Sequence, residues 1–337
     1  MGKKVTMKDI AERLSVSTVT VSKALADKEG VGEELRETIK LLALEMGYSY
    51  ASPTMKEDSE KRYNIGIIVA SNYIGEGMYP FYFKMYQRIV MCLSVQKNSG
   101  ILELITPEMR KKGVMPNIVA DKKVDGIIVL GQLETEYLKM IQDCKVPMVY
   151  LDFYDNNVEE SAVIPDNVYG TYALTKYIIG MGHKKIAFVG NIYATSSILD
   201  RYIGYYRALV ENRMEIREDY LISDRGEDDL FIDLELPKEM PTAFVCNCDE
   251  IAYILIEKLK QKGYRVPEDI SVVGFDNYTF ARNTSLQLTT VEVNMDEMAE
   301  SAVQLLVRHI DGCEEKGRKV ISGKLIIRDS VMKRKQS

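Results

Sequence analysis

Seven short runs of β-branched and aliphatic residues, alternating with stretches of helical spacing, constrain this 337-residue chain more than any other feature. The runs are Ile65–Val69, Ile101–Ile105, Gly126–Leu130, Met148–Leu151, Ile186–Val189, Ala243–Cys246 and Ile270–Phe275. Near-continuous apolar strands of this kind are buried on both faces. Between most of them lie amphipathic segments: Phe83–Leu93, Tyr169–Met181, Tyr202–Glu211, Glu250–Lys262 and Met295–Asp311. Repeated strand–helix units predict doubly wound parallel sheets with helices on both faces. This α/β region begins near Asn64 and spans about 270 residues, more than one such sheet usually carries, so two lobes are expected.

The N-terminal 47 residues are of another kind. Met7, Ile10, Ala11 and Leu14 share one helical face. Ser15-Val16-Ser17 interrupts the pattern, and Ser17 is a natural N-cap for a second helix, Thr18–Ala26, with Val21, Ala24 and Leu25 inward. A third helix is predicted from about Glu33 to Met46, stopping at Gly47. Helix, short turn, helix fits a helix-turn-helix module, although periodicity alone does not separate it from an ordinary three-helix bundle. Residues 48–62, rich in Ser, Pro, Thr and alternating charges, read as a linker.

The net charge is −6, but residues 1–28 hold six basic against three acidic side chains, a basic tip on an acidic body. No apolar run approaches the roughly 20 residues a bilayer demands, and Met1–Thr6 carries no apolar stretch, so a cytoplasmic protein without a membrane partner is expected. Five cysteines without framework spacing point to reduced thiols. Cys246 and Cys248 would share one strand face as buried thiols, and two histidines in the chain leave too few ligands for a metal site. No phosphate-binding, nucleophile-elbow or dinucleotide motif is present, so neither a catalytic residue nor a cofactor is expected.

The segments Val5–Glu12 and Val16–Leu25 closely resemble the headpiece of the lactose-repressor/galactose-repressor (LacI/GalR) family. Further landmarks follow in family order: Val124-Asp125-Gly126-Ile127-Ile128, Pro165-Asp166-Asn167, Gly182–Val189, Arg201-Tyr202-Ile203-Gly204-Tyr205, Val272–Asn277 and Leu288-Thr289-Thr290-Val291. The resemblance implies a helix-turn-helix headpiece (1–47), a hinge (48–62) and a two-lobed core similar to periplasmic binding proteins (63–337). The N-lobe is placed at about 63–163 plus 292–322, and the C-lobe at about 164–291 plus 323–337. It also implies a homodimer reading an inverted-repeat operator in double-stranded DNA, with a repressor's function controlled by a small molecule.

By position, Thr18 and Val19 resemble the family residues that select bases; Val19 suits a thymine methyl, and Thr18 can also hydrogen-bond. Lys23 can reach a guanine edge or a phosphate, while Thr6, Ser17, Thr20 and Ser22 are short hydroxyls suited to phosphate oxygens. In the hinge, Glu57 stands where many relatives carry a leucine that wedges into the minor groove. Met55 replaces it only if the register shifts, so weaker operator bending is expected.

In this architecture the ligand lies beyond the carboxyl ends of the strands. The candidates there are Tyr73, Phe81, Asp152, Arg201, Asn247, Asp249 and Asp276, with Arg201 at the start of a helix. Arg201 and Asp276 match family ligand positions. Carboxylates, an arginine and flat aromatic faces suit a saccharide or polyol. Lobe packing competes for Tyr73 and Phe81, and capping of a following helix competes for Asp276. His183 is expected to satisfy local backbone. A protein co-effector and, more remotely, a carbohydrate-active enzyme remain as alternatives.

Overall fold

The computed structural model describes residues 6–25, 30–32, 35, 36, 38, 39, 42, 43, 46, 61–74, 80–226, 230–277 and 286–334. It divides into two compact units, Met1–Lys61 and Arg62–Ser337. The hinge residues Met55 and Glu57 lie outside the described residues.

In the first unit, α1 (Met7–Leu14) begins in a capping box. The Thr6 hydroxyl accepts the Asp9 N–H, and the Asp9 carboxylate accepts the Thr6 N–H at 2.7 Å. Ser15 closes α1 in the left-handed region at φ 55°. Ser17 then opens α2 (Thr18–Leu25) by accepting the Thr20 N–H at 3.0 Å. Ile10 and Ala11 of α1 and Val21, Ala24 and Leu25 of α2 share a buried core with Ile39 and Ala43. Of the expected third helix, residues 35, 36, 38, 39, 42 and 43 are helical.

The second unit is built on two parallel sheets. The first runs β11–β5–β4–β3–β1–β2, with β1 Asn64–Ala70, β2 Ser99–Ile105, β3 Gly126–Leu130, β4 Met148–Leu151, β5 Ser161–Pro165 and β11 Arg318–Ile321. The second runs β7–β6–β8–β9, with β6 Ile186–Val189, β7 Leu221–Ile222, β8 Ala243–Cys246 and β9 Ser271–Val273. The helices used below are α3 Pro80–Val95, α4 Thr135–Gln142, α5 Asn167–Gly180, α6 Ser196–Glu211, α7 Asp249–Gln261 and α8 Met295–Ile310. Alternate residues of one strand feed different cores. In β6, Ile186 and Phe188 join the large core with Tyr205 and Leu209 of α6, whereas Ala187 and Val189 join Ile251, Leu255 and Leu259 of α7. That two-sided burial is why these strands lack polar alternation.

The chain passes between the two sheets three times. It leaves the first sheet after Pro165, where Asp166 caps α5 by accepting the Tyr169 N–H at 3.0 Å. It returns through β10 (Thr290–Glu292) into α8, which packs on β3, β4 and β5. Then β11 joins β5, and β12 (Lys324–Ile326) pairs antiparallel with β10.

Three expectations need correction. Helix α6 begins at Ser196, not near Tyr202, because Thr195 caps it by accepting the Ile198 N–H at 3.2 Å; Arg201 therefore sits in its second turn. Cys248 is not on a strand: β8 ends at Cys246, and Cys248 is the residue before α7. Both thiols are buried, and burial pushes both well above the ordinary thiol range. The strands β5, β7, β10, β11 and β12 add to the expected set; β5 ends in a proline, and β7, β10 and β12 have two or three residues, too short to show a period.

Candidate functional site

The carboxyl ends of both sheets face one cleft, lined by Tyr73, Phe81, Tyr82, Asp152, Arg201, Asn247 and Asp276 among others. It encloses about 60 Å³ and opens partly to solvent, less than is typical of small-molecule sites. Asp152 follows β4 with φ 74°, and Asp276 lies beyond β9 with φ 103°. Non-glycine residues in that region are uncommon and gather at functional positions.

Arg201 is the best-held group. Its Nε donates to Asn167 Oδ1 at 2.8 Å, and its Nη1 to the Asn247 carbonyl at 2.6 Å. The guanidinium carbon lies 4.0 Å from the centre of the Phe275 ring. Its Nη2 stands 3.2 Å from Asp276 Oδ1, an ion pair outside hydrogen-bond geometry, since that oxygen has no hydrogen-bond partner. The residue is 5% exposed, so α6 presents a rigid donor to the cleft.

The carboxylates are poised to accept. Tyr82 OH donates to Asp152 Oδ2 at 3.0 Å, and Asp152 Oδ1 is buried without a partner. Burial pushes Asp152 up to about 6 against the opposing pull of Arg201 and the Tyr82 hydroxyl. Burial likewise pushes Asp276 up to about 7, with the Asp152 charge adding to it and Arg201 opposing. Two buried carboxylate oxygens without hydrogen-bond partners, Asp276 Oδ1 in an ion pair with the arginine and Asp152 Oδ1 alone, form a site that a hydroxylated ligand can complete.

The aromatic residues enclose the cleft. Tyr73 and Tyr82 stack on each other at 4.5 Å, and Phe81 meets Tyr82 edge-on at 5.2 Å. Gly131 makes room for them: at φ 77°, a Cβ there would lie 2.8 Å from the Tyr73 ring and 3.0 Å from Tyr82. Tyr73 and Phe81 are buried among the core residues while also forming the cleft wall.

Asp249 is not brought to the cleft. Its Oδ1 accepts from Thr290 Oγ1 at 2.6 Å, and its N–H donates to the Phe275 carbonyl at 2.8 Å. As the first residue of α7 it points beneath Gly274, where a Cβ would lie 2.2 Å from Asp249 Oδ1. Asn247 lines the cleft, but its amide donates to the Val189 carbonyl at 3.0 Å and to Asp224 Oδ2 at 2.8 Å, so much of its capacity is spent on the frame.

Sequence reasoning missed Arg225, Glu250, Cys248, Thr195, Ser197 and Ile198 as lining residues. Arg225 follows the two-residue β7 and forms an ion pair with the buried Asp224 at 2.9 Å. Burial raises Glu250 to about 7, with Arg225 opposing. A strand of two residues leaves no periodic signal; Glu250, as the second residue of α7, was within reach of the strand-end rule.

In the first unit, Thr18, Ser22 and Lys23 of α2 are exposed, and Val19 is 63% exposed. The Ser17 and Thr20 hydroxyls bond each other at 2.8 Å, and the Thr6 hydroxyl donates to Asp9 Oδ2 at 2.6 Å. Those three are already engaged in capping, which leaves Thr18, Val19, Ser22 and Lys23 as the projecting set.

His183 is held by Thr242 Oγ1 at 3.0 Å and the Met332 carbonyl at 3.1 Å, and burial lowers it to about 4. Among the described residues no cluster of His, Cys, Asp and Glu could hold a metal ion, and no helix is long and apolar enough to cross a membrane.

Residues 6–50 match the family described as bacterial regulatory proteins, lacI family, and residues 175–331 match the periplasmic binding protein-like domain. The HTH-type transcriptional repressor PurR of Vibrio campbellii is 27% identical over 341 residues, covering 97% of this chain and 99% of the relative. The transcriptional regulator CelR in complex with cellobiose shares the fold at a TM-score of 0.69 and 24% identity, covering 97% of this chain and 99% of its own. The lac repressor dimer bound to operator and the anti-inducer ONPF does so at 0.66 and 20%, covering 98% and 100%.

Proposed function

We propose, for a chain that belongs to the lacI family of bacterial regulatory proteins, that its hold on DNA is set by a saccharide or polyol in the cleft between Asp152, Arg201 and Asp276. The chain is a DNA-binding transcriptional regulator and not an enzyme. In this reading it acts in the cytoplasm as a repressor. Two copies present their α2 helices to an inverted repeat, Thr18, Val19 and Lys23 reading bases while Ser22 reaches a phosphate. Ser17, Thr20 and Thr6 hold the helix starts.

The observation that carries the ligand class is Arg201 lining one cleft with two buried carboxylates, Asp276 paired to it at 3.2 Å and Asp152 with Oδ1 lacking a hydrogen-bond partner. Vicinal hydroxyls can donate to both carboxylates and accept from the guanidinium at once. A planar heterocycle fits less well. Tyr73 and Tyr82 are stacked against each other, so among the described lining residues this pair does not stand open to sandwich it. The CelR complex with cellobiose, on the same fold, supports this reading.

The test pairs calorimetry against a panel of saccharides, polyols and nucleobases with operator binding in the presence of each hit. A saccharide should bind and change operator affinity by a coupling of about 1–3 kcal/mol. Arg201→Ala should keep operator binding and lose the response. Binding confined to nucleobases, or an unchanged titration in Arg201→Ala, would refute the assignment.

A further inference from the structure

We infer that the effector is an elongated saccharide of at least two rings, with its second ring resting on Tyr193 in a second groove on the far side of Tyr73; this rests on the saccharide reading above. Tyr73 walls the inner cleft on one side and, on the other, a second groove of about 840 Å³ that opens to solvent. The outer groove lies between the same two layers. One wall is built from the segments following β2 and β3, and the other from those following β6 and β7.

Three features give it a ligand chemistry. Tyr193 lines it with its side chain 90% exposed, at a turn held by its own N–H donating to Asn191 Oδ1 at 3.1 Å. An aromatic ring left in water at a cleft mouth has a free apolar face, which suits the C–H face of a pyranose. Arg110 supplies directed hydrogen bonds: Nη1 donates to Glu134 Oε1 at 2.7 Å, while its buried Nε has no partner. Among the described lining residues, Arg110 and Lys111 stand against Glu134 and Glu136. Cations paired with carboxylates suit sugar hydroxyls, whereas a phosphorylated ligand would call for a surplus of cations.

The test uses the full chain and titrates glucose, cellobiose, maltose, galactose and lactose by calorimetry into wild type and Tyr193→Ala. In one linkage series, wild type should bind the two-ring sugar at least about tenfold more tightly than its monosaccharide, and Tyr193→Ala should lose most of that gain. Because Tyr193 is exposed, the variant should unfold at the wild-type temperature, which a thermal melt checks. Arg110→Met should lower the same gain. Equal affinity for one and two rings, or a gain that survives Tyr193→Ala, overturns the outer subsite and leaves the saccharide reading standing. Binding of nucleobases and of no sugar overturns both.

Discussion

The Tyr154 hydroxyl donates to Asp200 Oδ1 at 2.9 Å, joining the segment after β4 of the six-stranded sheet to α6 beside the four-stranded sheet. A second bond crosses the same boundary: the Ser196 N–H donates to Gln132 Oε1 at 2.8 Å. Both depend on the two layers standing close, so they favour a closed cleft with Arg201 facing Asp152. A ligand that binds only the closed form gains from whatever stabilises that form.

Tyr154→Phe removes one such bond and keeps the ring on which Arg318 rests, 3.7 Å from its centre. Loss of about 1 kcal/mol of closure should weaken effector binding about fivefold where the closed form no longer dominates. Calorimetry with small-angle scattering checks it; an unchanged affinity with unchanged dimensions would contradict it.

Effector binding should tighten as pH rises from about 5 to 8. Asp152 at about 6 and Asp276 at about 7 must give up protons to accept from ligand hydroxyls. Their contribution to the stability of the free protein has the opposite trend. It is present below the ordinary carboxylate value of 3.8 and is lost as pH rises through 6 to 7. Titrations in buffers of different ionisation enthalpy should show proton release on binding, and Asp276→Asn should reduce it.

His183 sets a limit on the acid side. Its ordinary value of 6.5 falls to about 4 in the folded chain. Its contribution to stability is therefore present above 6.5 and is lost as pH falls toward 4, with a total of about 3 kcal/mol. Unfolding curves between pH 7 and 4 should be flatter for His183→Gln than for wild type, even if the variant is less stable throughout.

Gly204→Ala should destabilise the chain by roughly 1–3 kcal/mol. A Cβ there would lie 2.2 Å from the Val168 carbonyl oxygen, so α5 and α6 would have to separate. Arg201 stands one turn earlier on α6 and reaches Asn167 of α5, so effector affinity should fall along with the melting temperature. A variant that melts like wild type would exclude this close approach.

Exchanging Thr18 and Val19 should change which operator is chosen, with a discrimination of about 1–3 kcal/mol at each base pair whose reading changes. Selection from a randomised duplex library reads the change. Recovery of the wild-type operator by the double variant would remove α2 from base reading.

The sequence alone determined the architecture, because the pattern that makes a strand buried on both faces is local and repeats. β1, β3, β4, β6 and β8 lie within a residue of the runs that announced them. The capped turn at Ser15–Ser17 was equally legible, since a cap and its first helical turn are neighbours in the chain. Strand ends also pointed to Asp152 and Asp276, because in a parallel sheet all carboxyl ends open on one side. Which side chains turn into the cleft was decided by pairing between segments far apart in sequence. Asp249 follows a strand end as Asp276 does, yet Thr290, 41 positions away, takes its carboxylate. Arg225 reaches the cleft only because two-residue β7 docks on β6. Pairings of that kind exist only once the sheets have assembled, and no local pattern of residues encodes them.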